Sequence, residues 1–537
     1  MAYINFSSAK LKNPLTLILS FVLIIFTLTG CYKPENEFGN PSELNGYYPE
    51  DENKLILGQE LEDPYAIHNI YKAYSNLKSA GFETPITDLK PSHIYLRFLP
   101  KNDDEWNLLK EDSSLIFYDY PLNYEITQSG TSFHDPSVPD SLTWQYSVVP
   151  VDKALPAIQH EVIYEVFIPP DAESTNKNIS GDVIQFYEAL EKESARLTGN
   201  LPDEKSDIDV KGLLPSKWTP KGTIRVWDDL LGRFIPLAYV NVHARWFTHI
   251  KTDMTDEKGS FQTGKFRYHV NYSIKWETSH YSIRNGMFLQ AWYNGPRKKG
   301  DWNLDIKGGE SVMYATIHRA AYKQFYGDNL GITRPILKSG SRTKICYRDS
   351  NGRAEFLGDW SCSGILPDIQ IWGKSNDIYK KTNKIFGNTS HELGHQSHSQ
   401  YVGNIKYYNI SKIIRESWAD AVEWAISNDE YNKLGLKYGN TSAINYFHTY
   451  NTHNRWPFVE DKNYSPIFID LMDKINQRIS IGYSYPNDMI SAYSLQYINF
   501  YLLKDVSGLV SLHEAVKNHK LSDVNDFQIE ELFELYN

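Results

Sequence analysis

Cysteine is almost missing from this chain: Cys31, Cys346 and Cys362 are all it has in 537 residues. That excludes a disulfide-built scaffold, and the lack of any C-x-x-C pair argues against a thiolate metal site. A long basic run is missing too, and the formal net charge is −11, so neither nucleic acid nor a nucleotide is an expected partner. The apolar run over residues 15–29 stops short of a normal membrane span. What remains is ordinary globular composition, 41% hydrophobic and 23% charged, in a chain long enough for about three domains. Aromatics are plentiful at 14%, which points to many strands and aromatic cores.

The first thirty residues read as an export signal. Lys10 and Lys12 precede the apolar run, which ends in Leu28-Thr29-Gly30-Cys31. That ending resembles the lipobox of bacterial lipoproteins. The resemblance implies cleavage before Cys31, a lipid on that cysteine and a membrane partner through the lipid anchor; a non-lipidated signal peptide or short membrane anchor is the alternative. Loss of residues 1–30 leaves 53 basic against 66 acidic residues, a net charge of −13. Residues 31–60 are polar and read as a tether. Within them, Lys33-Pro34-Glu35-Asn36-Glu37 resembles the surface-export signal of Bacteroidetes lipoproteins. The expected location is the cell envelope, as an outer-membrane lipoprotein facing outward. In such an oxidising compartment Cys346 and Cys362 form an even pair and a disulfide candidate, with two buried thiols as the other reading.

Residues 61–215 alternate between helical and strand patterns. Helical spacing is expected over residues 65–77 and 182–197, and strands over 93–99, 114–118 and 161–168. No catalytic constellation is visible there. Residues 218–280 change to strand patterning: 223–227, 238–246 and 268–276 are expected strands, with a hairpin signal at Thr255-Asp256-Glu257-Lys258-Gly259-Ser260-Phe261. Gly222-Thr223-Ile224-Arg225-Val226, the segment from Ile235 to Val242 and the turn through Phe261 resemble the carboxypeptidase regulatory-like domain. The resemblance implies a small, non-catalytic, transthyretin-like β-sandwich. Asn241 and the aromatic pair Trp246-Phe247 depart from that pattern and leave a surface role open.

Residues 281–537 carry a helical pattern over 309–324, a short strand over 367–372, a helix with Ser375-Asn376-Asp377 as candidate caps, and a second helix over 411–426. The remainder reads as mostly helical. The first of these two long helices contains His391-Glu392-Leu393-Gly394-His395, an instance of H-E-x-x-H. Histidines four apart on a helix stand one turn above the other, so both imidazoles can hold one ion while the intervening glutamate reaches its water. A hydrolytic zinc needs a third protein ligand and an open position. Glu416 follows within Glu416-Ser417-Trp418-Ala419-Asp420, where Glu416 and Asp420 share one helix face.

HELGH followed by E-x-x-x-D about twenty residues later resembles the gluzincins, the thermolysin-like zinc peptidases. The resemblance implies Zn2+ held by His391, His395 and Glu416, Glu392 as general base, and Asp420 orienting a histidine ligand. The metzincin pattern does not fit: His398 stands where it has glycine, and Tyr401 where it has a third histidine. His398 lies about 10 Å along the helix from His391, so a packing role is expected for it. Glu423 is expected to be solvated or paired; His448, Tyr450 and His453 are candidates for stabilising an oxyanion, with a structural role as the other reading of each. In gluzincins the strand corresponding to 366–372 borders the cleft and pairs with extended substrate; an ordinary sheet strand is the other reading here.

The expected fold class is therefore multidomain α+β: signal peptide 1–30, tether 31–60, an N-terminal α+β module at 61–215, the transthyretin-like β-sandwich at 218–280, and a mainly helical zincin-like catalytic domain at 281–537. The expected function is zinc-dependent hydrolysis of a polypeptide substrate. The alternatives are a surface module binding glycan or host protein on an inactive zincin scaffold, and an amidase acting on cell-wall peptide.

Overall fold

The computed structural model of the chain describes residues 31–32, 55–112, 115–128, 130–131, 133–139, 143–170, 180–201, 216–286, 289–358, 368–436, 465–480, 486–534 and 536. The signal segment and residues 33–54 of the tether lie outside them. The fold is mixed α/β, with several antiparallel sheets and a helical C-terminal region. Among the described residues no helix is long and apolar enough to cross a membrane.

After a two-residue strand β1 (Cys31–Tyr32), the first region runs β2 (Ile56–Glu60), α1 (Ile67–Ser79), β3 (His93–Phe98), α2 (Asp103–Glu111), β4 (Tyr124–Gln128), β5 (Gln145–Pro150), β6 (His160–Val166) and α3 (Gly181–Leu197). β2 pairs with β4, and β3 lies between β5 and β6, all antiparallel. The helical spacing of Ile70, Ala73 and Leu77 puts one apolar face of α1 against Phe186 and Leu190 of α3. The strand expected at 114–118 is reduced to one bridge, Tyr118 with Tyr146. Tyr118 instead sends its ring away from this region: it stacks on Trp292 at 5.1 Å, and its hydroxyl meets His243 Nδ1 at 2.7 Å.

The next strands are β7 (Lys221–Asp228), β8 (Arg233–Pro236), β9 (Asn241–Trp246), β10 (His249–Met254), β11 (Ser260–Gln262), β12 (Val270–Lys275), β13 (Tyr281–Asn285), β14 (Leu289–Gln290), β15 (Trp292–Lys298) and β16 (Leu304–Ile306). They form two sheets, β10-β9-β12-β15 and β11-β7-β16 with β8 also on β7. Phe261 of β11 meets Tyr272 of β12 ring to ring at 6.2 Å, so the two sheets share a core. β9 starts later than its sequence pattern suggests, because Tyr239 has φ +59 and stacks on Tyr322 at 4.2 Å. The hairpin expected at 255–261 is a turn between sheets: β10 pairs with β9, whereas β11 pairs with β7. Gly259 allows it, with φ +74 and a Cβ position only 2.3 Å from the Ile224 carbonyl oxygen of β7.

A boundary at residue 280 does not separate these sheets from the C-terminal part of the chain. β15 and β16 return to them after β13 and β14 have joined the next sheet. That sheet runs β1-β18-β19-β17-β13-β14, using β17 (Thr343–Asn351), β18 (Glu355–Phe356) and β19 (Ile369–Ser375), with β20 (Ile378–Tyr379) also on β19. β13, β17 and β19 are mutually parallel and β18 is antiparallel. The strand expected to lie at the cleft edge, β19, is thus interior, with β17 on one side and β18 on the other. Cys346 of β17 is a buried free thiol that burial pushes up to about 12. Its expected partner Cys362 lies outside the described residues, and the disulfide is not part of the described structure.

Four helices complete the centre: α4 (Gly309–Phe325), α5 (Thr382–Val402), α6 (Asn404–Asn409) and α7 (Lys412–Lys433). The expected caps Asn376 and Asp377 do not start α5. Both have positive φ, +50 and +62, and form the two-residue turn joining β19 to β20, a conformation these side chains tolerate. α5 begins after Lys381 and ends at Gly403, whose φ is +88. Beyond α7 come short helical turns, then α8 (Leu509–Asn518) and α9 (Asp526–Phe533), gathered on a second core with Trp418 and Ile426 of α7.

A buried ionic network ties the β7 sheet to these helices. Asp228 at the end of β7 holds Arg319 of α4 at 2.8 Å and accepts from Tyr431 of α7 at 2.9 Å. Lys323 of α4 pairs with Asp429 of α7 at 2.7 Å. The strands and the helices therefore constrain one another directly.

Candidate metal centre

α5 and α7 lie side by side and antiparallel. Moving along α5, Gly387 faces Glu423, His391 faces Asp420, and Gly394 faces Ala419 and Val422. The approach is close because Gly394 has no side chain: a Cβ there would lie 3.1 Å from Val422 Cβ and 3.3 Å from Ala419 Cα. This spacing brings Glu416 of α7 to the two histidines of α5.

Three ligand atoms converge. His391 Nε2 and His395 Nε2 are 3.2 Å apart, and Glu416 Oε2 is 3.4 Å from the first and 3.3 Å from the second. Bonds of about 2.0–2.1 Å at tetrahedral angles put neighbouring ligand atoms about 3.3–3.4 Å apart. The triangle therefore has the size of one face of a tetrahedral coordination sphere. All three side chains are fully buried. Burial favours the neutral form of Glu416, but the neighbouring His395 and His391 outweigh it and hold the carboxyl well below its usual range. Neither Glu416 oxygen has a well-aligned hydrogen-bond donor. A buried carboxylate beside two imidazole nitrogens is a donor set suited to a divalent cation. Glu392 is buried beside this triangle; one ligand atom from each of His391, Glu392 and His395 lies within 4.8 Å of the others.

The far sides of the two histidines meet different groups. His391 Nδ1 lies 3.0 Å from Asp420 Oδ1 and 3.5 Å from Glu423 Oε2. Burial disfavours protonation of His391, yet Asp420, Glu416 and Glu423 together raise its pKa well above the usual value. His395 Nδ1 lies 3.0 Å from the Tyr407 hydroxyl of α6, and burial lowers its pKa despite the Glu416 charge.

The structure thus brings His391, Glu392, His395, Glu416 and Asp420 to one place. Of the two readings for Glu423, solvated or paired, the structure shows the second: it is buried and turned to His391 Nδ1 at 3.5 Å. His398 is packed edge-on to Tyr407 at 5.3 Å, with burial pushing it down to about 3, and takes no part in the triangle. His448, Tyr450 and His453 lie outside the described residues. Sequence reasoning missed Tyr407, Gly387 and the role of Glu423. Gly387 stands one turn before His391 on the same helix face, which was the available signal. No protein-family model matches the chain, and no curated protein matches it.

Proposed function

We propose that this chain is a zinc-dependent hydrolase of gluzincin type that cleaves peptide bonds, with His391, His395 and Glu416 as zinc ligands. The observation that carries the reading is the triangle of ligand atoms at 3.2, 3.3 and 3.4 Å, with Glu392 beside it. Zinc bound there would polarise a carbonyl and lower the pKa of a bound water. Glu392, buried beside the triangle, is the carboxylate that would take a proton from the attacking water and pass it to the leaving amine. Asp420 and Glu423 hold His391 with Nε2 toward the ligand triangle.

The wider architecture is read in the same way: a carboxypeptidase-regulatory-like sandwich built from β7–β12, β15 and β16, a zincin-like unit around α4, α5 and α7, and an outer-membrane lipid anchor on Cys31.

The test uses the purified mature chain. Stoichiometric zinc, and chelator-sensitive cleavage of mixed peptides that Glu392→Gln abolishes without loss of zinc, support the proposal. Cleavage of peptidoglycan fragments alone would make it a cell-wall amidase. Cleavage of neither, with saturable glycan binding, would replace it with the binding module.

A further inference from the structure

We infer that Tyr407 is the positioning residue for His395, a role that rests on the metal-site reading above. A histidine ligand must present a lone pair at the metal-facing nitrogen, so its proton must sit on the other one. For His391 the proton's place is set by carboxylates, which only accept: Asp420 and Glu423 both face Nδ1. For His395 the corresponding partner is the Tyr407 hydroxyl, 3.0 Å from Nδ1. A hydroxyl both donates and accepts. By accepting from Nδ1–H it leaves the Nε2 lone pair toward Glu416 and His391; by donating it stabilises the opposite tautomer, with Nε2–H turned toward Glu416. The same contact therefore suits His395 with and without a cation, and the hydroxyl rotates between the two.

Tyr407 is built to hold that hydroxyl in place. Its side chain is fully buried, with His398 edge-on at 5.3 Å, Phe356 edge-on at 6.1 Å and the Arg415 guanidinium over the ring at 5.3 Å. Phe356 also stacks on the His395 ring at 6.1 Å. These contacts fix the ring by its faces and edges, with the hydroxyl 3.0 Å from His395 Nδ1. The position comes from α6, the short helix that Gly403 starts by turning the chain sharply at the end of α5.

Tyr407→Phe removes the hydroxyl and keeps the ring cage, so it separates positioning from packing. With the full mature chain and Zn2+ as probe, chelator competition should show a dissociation constant raised about 10–100-fold. With Co2+ as probe, the visible absorption of the bound ion should change, while the thermal midpoint of the metal-free variant stays near wild type. Tyr408→Phe, which removes a hydroxyl one residue on, should leave affinity and spectrum unchanged. Unchanged affinity and spectrum in Tyr407→Phe would overturn the role, as would equal losses in both variants. Failure of the unaltered chain to bind either ion would overturn the metal reading itself, and this role with it.

Discussion

Gly387 leaves the space that the Glu423 carboxylate fills: a Cβ at Gly387 would lie 2.6 Å from Glu423 Oε1 and 3.2 Å from its Cδ. The missing side chain on α5 is what lets a second carboxylate of α7 reach His391.

Gly387→Ala is therefore expected to separate stability from metal binding. Alanine favours a helix by about 1 kcal/mol over glycine, and the displaced atoms are the movable end of a side chain. The thermal midpoint should hold or rise, while the zinc dissociation constant rises several-fold as Glu423 leaves His391. Chelator competition alongside thermal unfolding reads both; unchanged zinc affinity would remove Glu423 from the site's support.

Gly394→Ala meets backbone instead, with Ala419 Cα at 3.3 Å. α5 and α7 must part by a few tenths of an ångström. Overpacking costs about 1–3 kcal/mol against the helix gain of about 1 kcal/mol, so a net loss of about 1 kcal/mol is expected. Urea unfolding measures it, and bound zinc should fall because Glu416 moves with α7. A variant more stable than wild type would show that the helices have room to spare.

Asp228→Ala leaves Arg319 buried without its 2.8 Å partner. Glu430 still pairs with Arg319 at 3.3 Å, so the cost falls below the ~3–5 kcal/mol of a fully orphaned buried charge. Because Asp228 joins β7 to α4 and α7, the loss should appear as one cooperative shift of the whole unfolding curve. A separate early transition confined to the strands would contradict that coupling.

Asp488 supplies a pH test. Burial, with the nearby charges of Asp470 and Asp473, pushes its carboxyl up to about 10 from an ordinary 3.8. A folded-state pKa raised above the unfolded value means the folded chain holds the extra proton. Stability is then fully present below about pH 4 and is lost as pH rises from there, by about 1.4 kcal/mol per unit. Asp488→Asn removes this loss while its side-chain oxygen can still accept from Ile490 N, as Oδ1 does at 3.0 Å. The variant should gain in thermal midpoint at pH 8 and match wild type near pH 4; an equal effect at both would refute the titration.

Cys346 should resist thiol reagents in the folded protein, being buried with its thiol pushed up to about 12. In denaturant without reductant it should label at once. No labelling there would restore the disulfide with Cys362.

The elements easiest to read from sequence were those with local causes. The 3.6-residue spacing of α1, α3 and α4 and the alternation in β3 and β6 gave their places within a few residues. HELGH and E-x-x-x-D were legible for the same reason, since four-residue spacing fixes a common helix face without knowledge of anything distant. Strand partnership was not legible: the turn at Gly259 looks like a hairpin locally, and only contact with Ile224 of β7 sends β11 to the other sheet. Asn376-Asp377 suits a helix cap and a tight turn equally, and the pairing of β19 with β20 chose the turn.

The sequence by itself determined a helix bearing two histidines and a glutamate, and a second helix bearing two carboxylates on one face. It did so because helical geometry is set by neighbours along the chain. Only the tertiary structure decided that these faces meet at 3.3–3.4 Å from Glu416 to the histidines, that Glu423 joins Asp420, and that Tyr407 stands behind His395. Those relations depend on how closely two helices approach. That distance is fixed by two missing side chains, Gly387 and Gly394, and by a turn at Gly403, whose consequences lie across space and not along the chain.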